Sequence, residues 1–129
     1  MTYVVRRTVD LSPAEAEARV RETLAAEGFG VLTEIDVKET LKKKLDVDFR
    51  PYRILGACNP TFAHRALEME EDIGALLPCN VVLYEGRRPG TTVLAAADPD
   101  VQLSVTGRDD MDELAGEVRE RIVRALEAV

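Results

Sequence analysis

Tryptophan is absent from this chain, histidine and glutamine occur once each, and cysteine and asparagine twice. Two cysteines make no disulfide framework, and in a reducing compartment they are expected as free thiols. A chain of 129 residues buries roughly 68% of its unfolded surface on folding, which is enough for a core without staples. Bases are short relative to acids: 17 Lys and Arg against 24 Asp and Glu leave a net charge of -7 and a pI near 4.8. A phosphate backbone is held by clustered cations that release its counterions, so no nucleic-acid partner is expected. Long apolar runs are missing too. The longest uncharged stretch, Ile73 to Tyr84, has 12 residues and contains Pro78, against about 20 for a spanning helix, so no membrane partner is expected. Met1-Thr2-Tyr3-Val4-Val5-Arg6-Arg7 has no basic start followed by an apolar segment, so a cytoplasmic address is expected. There is no glycine-rich phosphate loop, no GxSxG elbow and no HExxH helix. Gly28-Phe29-Gly30 reads only as a tight turn.

What is present describes one globular domain over residues 1–129, with 46% apolar and 32% charged residues. Thirteen Arg against four Lys resembles the balance of a thermophile. Tyr3 to Arg7 is a β-branched run that predicts a first strand. Ser12-Pro13-Ala14-Glu15 predicts a helix start, with Ser12 as cap, Pro13 at the first helical position and Glu15 closing a capping box. Ala16, Val20, Thr23, Leu24 and Glu27 form one stripe of that helix. Val31 to Ile35 predicts a second strand, and Asp36 caps a short helix through Leu45 in which Leu41 and Leu45 point inward. Tyr52 to Cys58 predicts a third strand, followed by a helix capped by Asn59 with Pro60 at its first position. A further helical turn begins at Asp72. Cys79 to Glu85 and Thr91 to Ala96 predict a hairpin around Gly86-Arg87-Arg88-Pro89-Gly90. Val101 to Val105 fits either strand or irregular loop. Met111, Leu114, Ala115, Val118, Ile122, Ala125 and Val129 keep a 3.6-residue period and predict the last helix. The class is α+β: an antiparallel sheet of about five strands, two long helices packed on one face, and short helical inserts.

The string from Ile35 through Lys42-Lys43-Lys44-Leu45, then Tyr52-Arg53-Ile54-Leu55-Gly56-Ala57-Cys58-Asn59-Pro60, His64, Ala66-Leu67 and Leu76-Leu77-Pro78-Cys79-Asn80-Val81, resembles the domain-of-unknown-function family 302. The likeness is densest over residues 33–98. It implies a curved antiparallel sheet of TATA-binding-protein-like architecture, with helices on one side, in a homodimer. It implies no activity, and no cofactor is expected.

The residues that stand out chemically are Cys58, Asn59, His64, Cys79 and Asn80. If the third and fourth strands pair antiparallel, both cysteines fall at one sheet end with His64 on the insert between them. Two thiolates and an imidazole suit Zn or Cu(I), yet the spacings match no ligand motif and a fourth ligand is missing. Buried thiols are the plainer reading. His64 is otherwise a surface or hydrogen-bonded histidine, or a general base. Lys43, within the one basic cluster, either draws an anion or belongs to a solvated face. Arg53, on an otherwise apolar strand, must pair or line a cavity, with Glu34, Asp36, Asp46 and Asp48 as candidate partners. The leading expectation is a non-catalytic homodimeric module with a small-molecule or partner site at Arg53, Lys43, Cys58, Asn59, His64, Cys79 and Asn80. A thiol or soft-metal protein using Cys58, His64 and Cys79 is the alternative, and an enzyme with His64 as base a third.

Overall fold

Strand and helix start signals alternate along the chain, and the computed structural model, which describes residues 2–129, turns them into one open sheet. Its strands are β1 (Val4–Val9), β2 (Gly30–Asp36), β3 (Tyr52–Cys58), β4 (Cys79–Glu85) and β5 (Thr92–Ala97). The helices are α1 (Pro13–Ala26), α2 (Val37–Leu45), α3 (Pro60–Met69), α4 (Pro99–Ser104) and α5 (Asp112–Glu127). All pairings are antiparallel, in the order β1-β5-β4-β3-β2. The strands β2 to β5 therefore form a meander, and β1 joins beside β5.

That order determines the role of α1. It connects β1 and β2, which lie at opposite edges, so the helix must cross the sheet. Ala16, Val20 and Leu24, four residues apart, are fully buried along its inner stripe. The expected capping box is formed: the Ser12 hydroxyl accepts from the Glu15 amide at 3.2 Å, and the Glu15 carboxylate accepts from the Ser12 amide at 3.3 Å. Beside α1 lies α5, which buries Leu114, Ala115, Val118, Ile122, Ala125 and Leu126. Both helices pack on the face formed by Leu55, Ala57, Val81, Leu83, Leu94 and Ala96, and these residues make one core. Because side chains alternate across a strand, Ile54, Val82, Tyr84, Val93 and Arg6 belong to the other face, where they are half-buried or exposed.

Four local expectations need correction. The first strand runs on to Val9, where residues 8 and 9 pair with Val93 and Thr92. Residues 101–104 are neither strand nor loop but most of α4, with Val105 just past its end, and the cap Asp98 accepts from the Asp100 amide at 3.0 Å. The Asn59 side chain makes no capping bond to α3. Its amide instead donates to the Glu27 carbonyl at 3.3 Å, fastening the start of α3 to the turn after α1. Finally, α2 buries no residue at all: Leu41 is half-buried and Leu45 is 66% exposed. Helical spacing aligned these two leucines, but α2 leaves the edge strand β2, where little of the sheet remains to receive them.

Candidate functional site

The antiparallel register of β3 and β4 sets Ala57 opposite Cys79. Cys58 and Cys79 thus share one end of the sheet, and α3 with the 3₁₀ turn Glu71–Leu76 rises between them. Here the helices do not close completely on the strands. A cavity of about 40 Å³ remains, room for a few water-sized centres, and widens toward solvent. Cys58, Cys79, Phe62, Leu77, Pro78 and Leu114 are among its walls. Gly56, on the outer face beside this end, lets Thr33 and Pro78 close on β3, since a Cβ there would overlap Thr33 Oγ1 and lie 2.7 Å from Pro78 Cγ.

The lining is almost wholly apolar, with one polar exception of consequence. Gln102, on α4, donates from its amide nitrogen to the Leu76 carbonyl, while its Oε1 is buried without a hydrogen-bond partner. A buried amide oxygen without a donor carries a desolvation penalty of about 1–3 kcal/mol. A donor brought to it, with the side chain turned toward the cavity, would recover that penalty.

Both cysteines are free. Burial pushes the Cys79 thiol up to about 11, and the neighbouring Cys58 adds to that rise. The thiolate is the reactive form, so Cys79 is expected to be silent toward a thiol reagent at pH 8 in the native protein and to react once denatured. Thiol titration of Cys58→Ser, which leaves Cys79 as the sole thiol, reads this directly; prompt native reaction would contradict it.

The structure does not bring His64 to the cysteines. It sits on the outer side of α3, its side chain 75% exposed, with Nε2 2.8 Å from the Glu68 carboxylate one turn on. Among the described residues, no three His, Cys, Asp or Glu side chains are grouped to hold a metal ion. The arrangement expected of Cys58, His64 and Cys79 as joint ligands is therefore not formed. Helical position alone could not say which way His64 turned.

Arg53 lies elsewhere, at the opposite end of β3 and on the face toward α1. Its Nε donates to Glu17 at 2.8 Å, and its terminal nitrogens lie 3.3 Å from Glu34 and 3.8 Å from Asp36. Arg21 joins through Glu17 at 3.1 Å and through Glu34. Glu34 and Asp36 are among the partners expected for Arg53. Asp46 and Asp48 serve Lys42 instead. The nearest acid, Glu17, escapes sequence reasoning because it comes from α1, and no spacing in the chain announces that crossing. Burial alone would raise the Glu17 carboxyl, but hydrogen bonds and charge from Arg53, then from Arg21, outweigh it and hold the carboxyl below its usual value. Arg53 does line a groove with Glu17, Asp36 and Tyr52, but its donors are engaged by acids.

Lys43 is exposed and pairs with Glu39 at 3.0 Å within α2, away from both places. Asn80, opposite Gly56 in the register, points to the outer sheet face and lines a trough there with Val82 and Tyr84. The seven expected site residues are thus distributed over the cavity (Cys58, Asn59, Cys79), the outer face (Asn80), the Arg53 network, and the exposed sides of α2 and α3. Gln102, the polar feature of the cavity, lies in the segment whose structure the sequence left undecided.

The family model described as Domain of unknown function DUF302 matches residues 5–129. A solved structure, the crystal structure of an uncharacterised conserved DUF302 protein from Bacillus stearothermophilus, is 31% identical, covers 99% of this chain and 98% of its own, and superposes with a TM-score of 0.91. Comparison with curated proteins returned no match. Among the described residues no helix is long and apolar enough to cross a membrane.

Proposed function

The chain belongs to the family Domain of unknown function DUF302, which supplies a fold and no activity, and from its own residues we propose that it is a non-catalytic module binding a small, largely apolar molecule at the Cys58–Cys79 end of the sheet. The observation that carries this reading is an apolar cavity with Gln102 among its walls, the side-chain oxygen of which lies buried without a partner. Ligand pockets combine an apolar lining with a few placed polar groups, and here the polar group lacks a donor. The ligand is accordingly an apolar group with one N–H or O–H that enters the cavity only in part, the rest of its body lying in the wider mouth. Nothing in the pocket lining offers a base: the ionisable groups are the two thiols, one of them held protonated by burial.

Indole and benzene, which share a flat apolar body but differ in the N–H, test this reading. Saturable amide shifts are expected at residues 58–66 and 99–103 in a nuclear magnetic resonance titration, with indole bound more tightly. A gap of about 1 kcal/mol is expected from the added hydrogen bond, and Gln102→Leu should abolish it. Equal affinity for both probes, or shifts elsewhere, would overturn the reading.

A homodimer in the cytoplasm is part of the same proposal, and a different observation supports the dimer. Leu32, Ile35, Leu45, Val47 and Phe49 are large apolar residues left exposed within one short stretch, on the edge strand β2, on α2 and in the loop after it. A helix that buries nothing in its own chain and an open strand edge together suit a second copy. Light scattering should give a species of twice 14.3 kDa that Leu45→Asp converts to the monomer; a wild-type monomer at all concentrations would refute it.

A further inference from the structure

Thirteen arginines stand in this chain of net charge -7. Ten of them (7, 19, 21, 53, 65, 88, 108, 119, 121 and 124) meet a carboxylate or a backbone carbonyl oxygen. Among the described residues, the three that meet neither are Arg6, Arg50 and Arg87. All three line one trough on the outer face of the sheet, at the end bounded by the β4–β5 hairpin. Arg88 lines it as well, and the acid nearest to it, Asp10, is exposed and 3.5 Å away. Glu85 is the one carboxylate in the lining, against four guanidiniums. In an acidic protein, where spare carboxylates are plentiful, guanidiniums left unpaired in one place form a local field of opposite sign to the whole.

The geometry of Arg50 shows how that field is presented. Its guanidinium lies over the rings of Phe49 and Tyr84, 5.8 and 5.2 Å from their centroids. Tyr84 in turn stacks on Tyr52 at 5.2 Å with the rings 5° from parallel. Stacking engages the face of a guanidinium and leaves its N–H edge free. The arginine is therefore restrained while its donors remain available. Beyond it the trough, about 490 Å³ at the hairpin end and about 410 Å³ over the middle strands, has an apolar floor that includes Val82 and Ala95.

We propose that this trough is a second binding site, for a small organic anion with a flat apolar body and a head bearing two or more negative charges, either a phosphate ester or a di- or tricarboxylate. One carboxylate occupies one guanidinium fork, and several converging forks call for more charge than that. The body lies on Tyr84 and the apolar floor. A second copy of the chain is disfavoured as occupant, because an isologous contact would face the arginines with themselves. A nucleic-acid strand is disfavoured by the acidity of the rest of the surface.

Calorimetry of the full chain at low salt, with phenyl phosphate, phthalate and benzoate as probes, tests the site. One dianion or both should bind saturably, at least about tenfold more tightly than benzoate, since charge-assisted forks add with each charge. The phosphate and phthalate arms show which head is preferred. Arg6→Gln and Arg50→Gln should each weaken binding about tenfold, while Arg65→Gln, whose arginine pairs with Glu117 on the helical side, should not. Arg87→Gln, in the exposed hairpin, repeats the test without touching a strand. The proposal fails if neither dianion saturates at concentrations on the order of 10 mM, or if the trough variants bind as the wild type does. It also fails if Arg6→Gln changes the oligomeric state, which would seat a second copy there, or if a single-stranded oligonucleotide displaces both dianions.

Discussion

Leu24→Ala is expected to lower the stability of the protein by about 3 kcal/mol, because it removes a fully buried side chain and the rigid surroundings refill the void only in part. In thermal unfolding this corresponds to a fall of about 10 °C for a domain of this size. Leu24 is the last of the three buried positions on α1, at the end of a helix that carries the chain from one edge of the sheet to the other. Its loss also loosens the base of the Cys58–Cys79 end: the turn after α1 holds Phe29, which lines the cavity, and the Glu27 carbonyl, which receives Asn59. The same substitution at Leu32, which is 69% exposed on the edge strand, should stay within about 0.5 kcal/mol for the monomer. A melting curve on each variant at low protein concentration decides the matter; a Leu24→Ala protein as stable as the wild type would mean that α1 is not the helix closing the core.

The contrast between these two leucines shows where the chain is legible and where it is not. Period and caps reveal the elements. Ser12 with Glu15, the spacing of Ala16, Val20 and Leu24, and the run from Leu114 to Ala125 are local signals whose physics acts within a few residues. The hairpin at residues 86–90 follows from the same local chemistry, whereas the pairing of β3 with β4, which brings Cys58 and Cys79 to one sheet end, spans the insert between them and is only a condition in the sequence that the register fulfils. What could not be read is whatever depends on a crossing. β1 lies beside β5, not β2, so Glu17 reaches Arg53 across the sheet, and nothing near either residue marks the pair. Leu41 and Leu45 have the spacing of a core face and no core to enter. The charge of the whole chain hides the local excess of arginine: Arg6, Arg50 and Arg87 come from three separate segments, and the registers of β1 on β5, β5 on β4 and β4 on β3 collect them. Gln102 is obscure in the sequence because α4 is only six residues long, too short for its period to separate helix from strand.

Glu17→Gln is the substitution whose pH dependence is most informative. Glu17 is 19% exposed and accepts from both Arg53 and Arg21. The amide retains the shape and one acceptor but removes the charge between two guanidiniums. At pH 7 the loss should be about 1.5 kcal/mol, short of a fully buried pair because water still screens the site and Glu34 remains beside both arginines. The sign follows from the carboxyl's own equilibrium. In the folded protein it sits below its ordinary value of 4.5, so the unfolded chain takes up the proton more readily than the folded one. The stabilisation is therefore complete above about pH 5 and is lost as the pH falls through the folded value. Arg53 is shifted upward by the same contact and stays charged at every working pH, so it adds no titration of its own. Denaturant unfolding of the wild type and Glu17→Gln between pH 3 and pH 7 should give curves separated at neutral pH that converge on acidification, since a protonated carboxyl and a carboxamide at this position have nearly the same hydrogen-bonding capacity. Curves that remain parallel throughout would place the carboxyl's ionisation outside the stability of the fold, and the Arg53 network would then be a surface contact and not the clamp that joins α1 to β3.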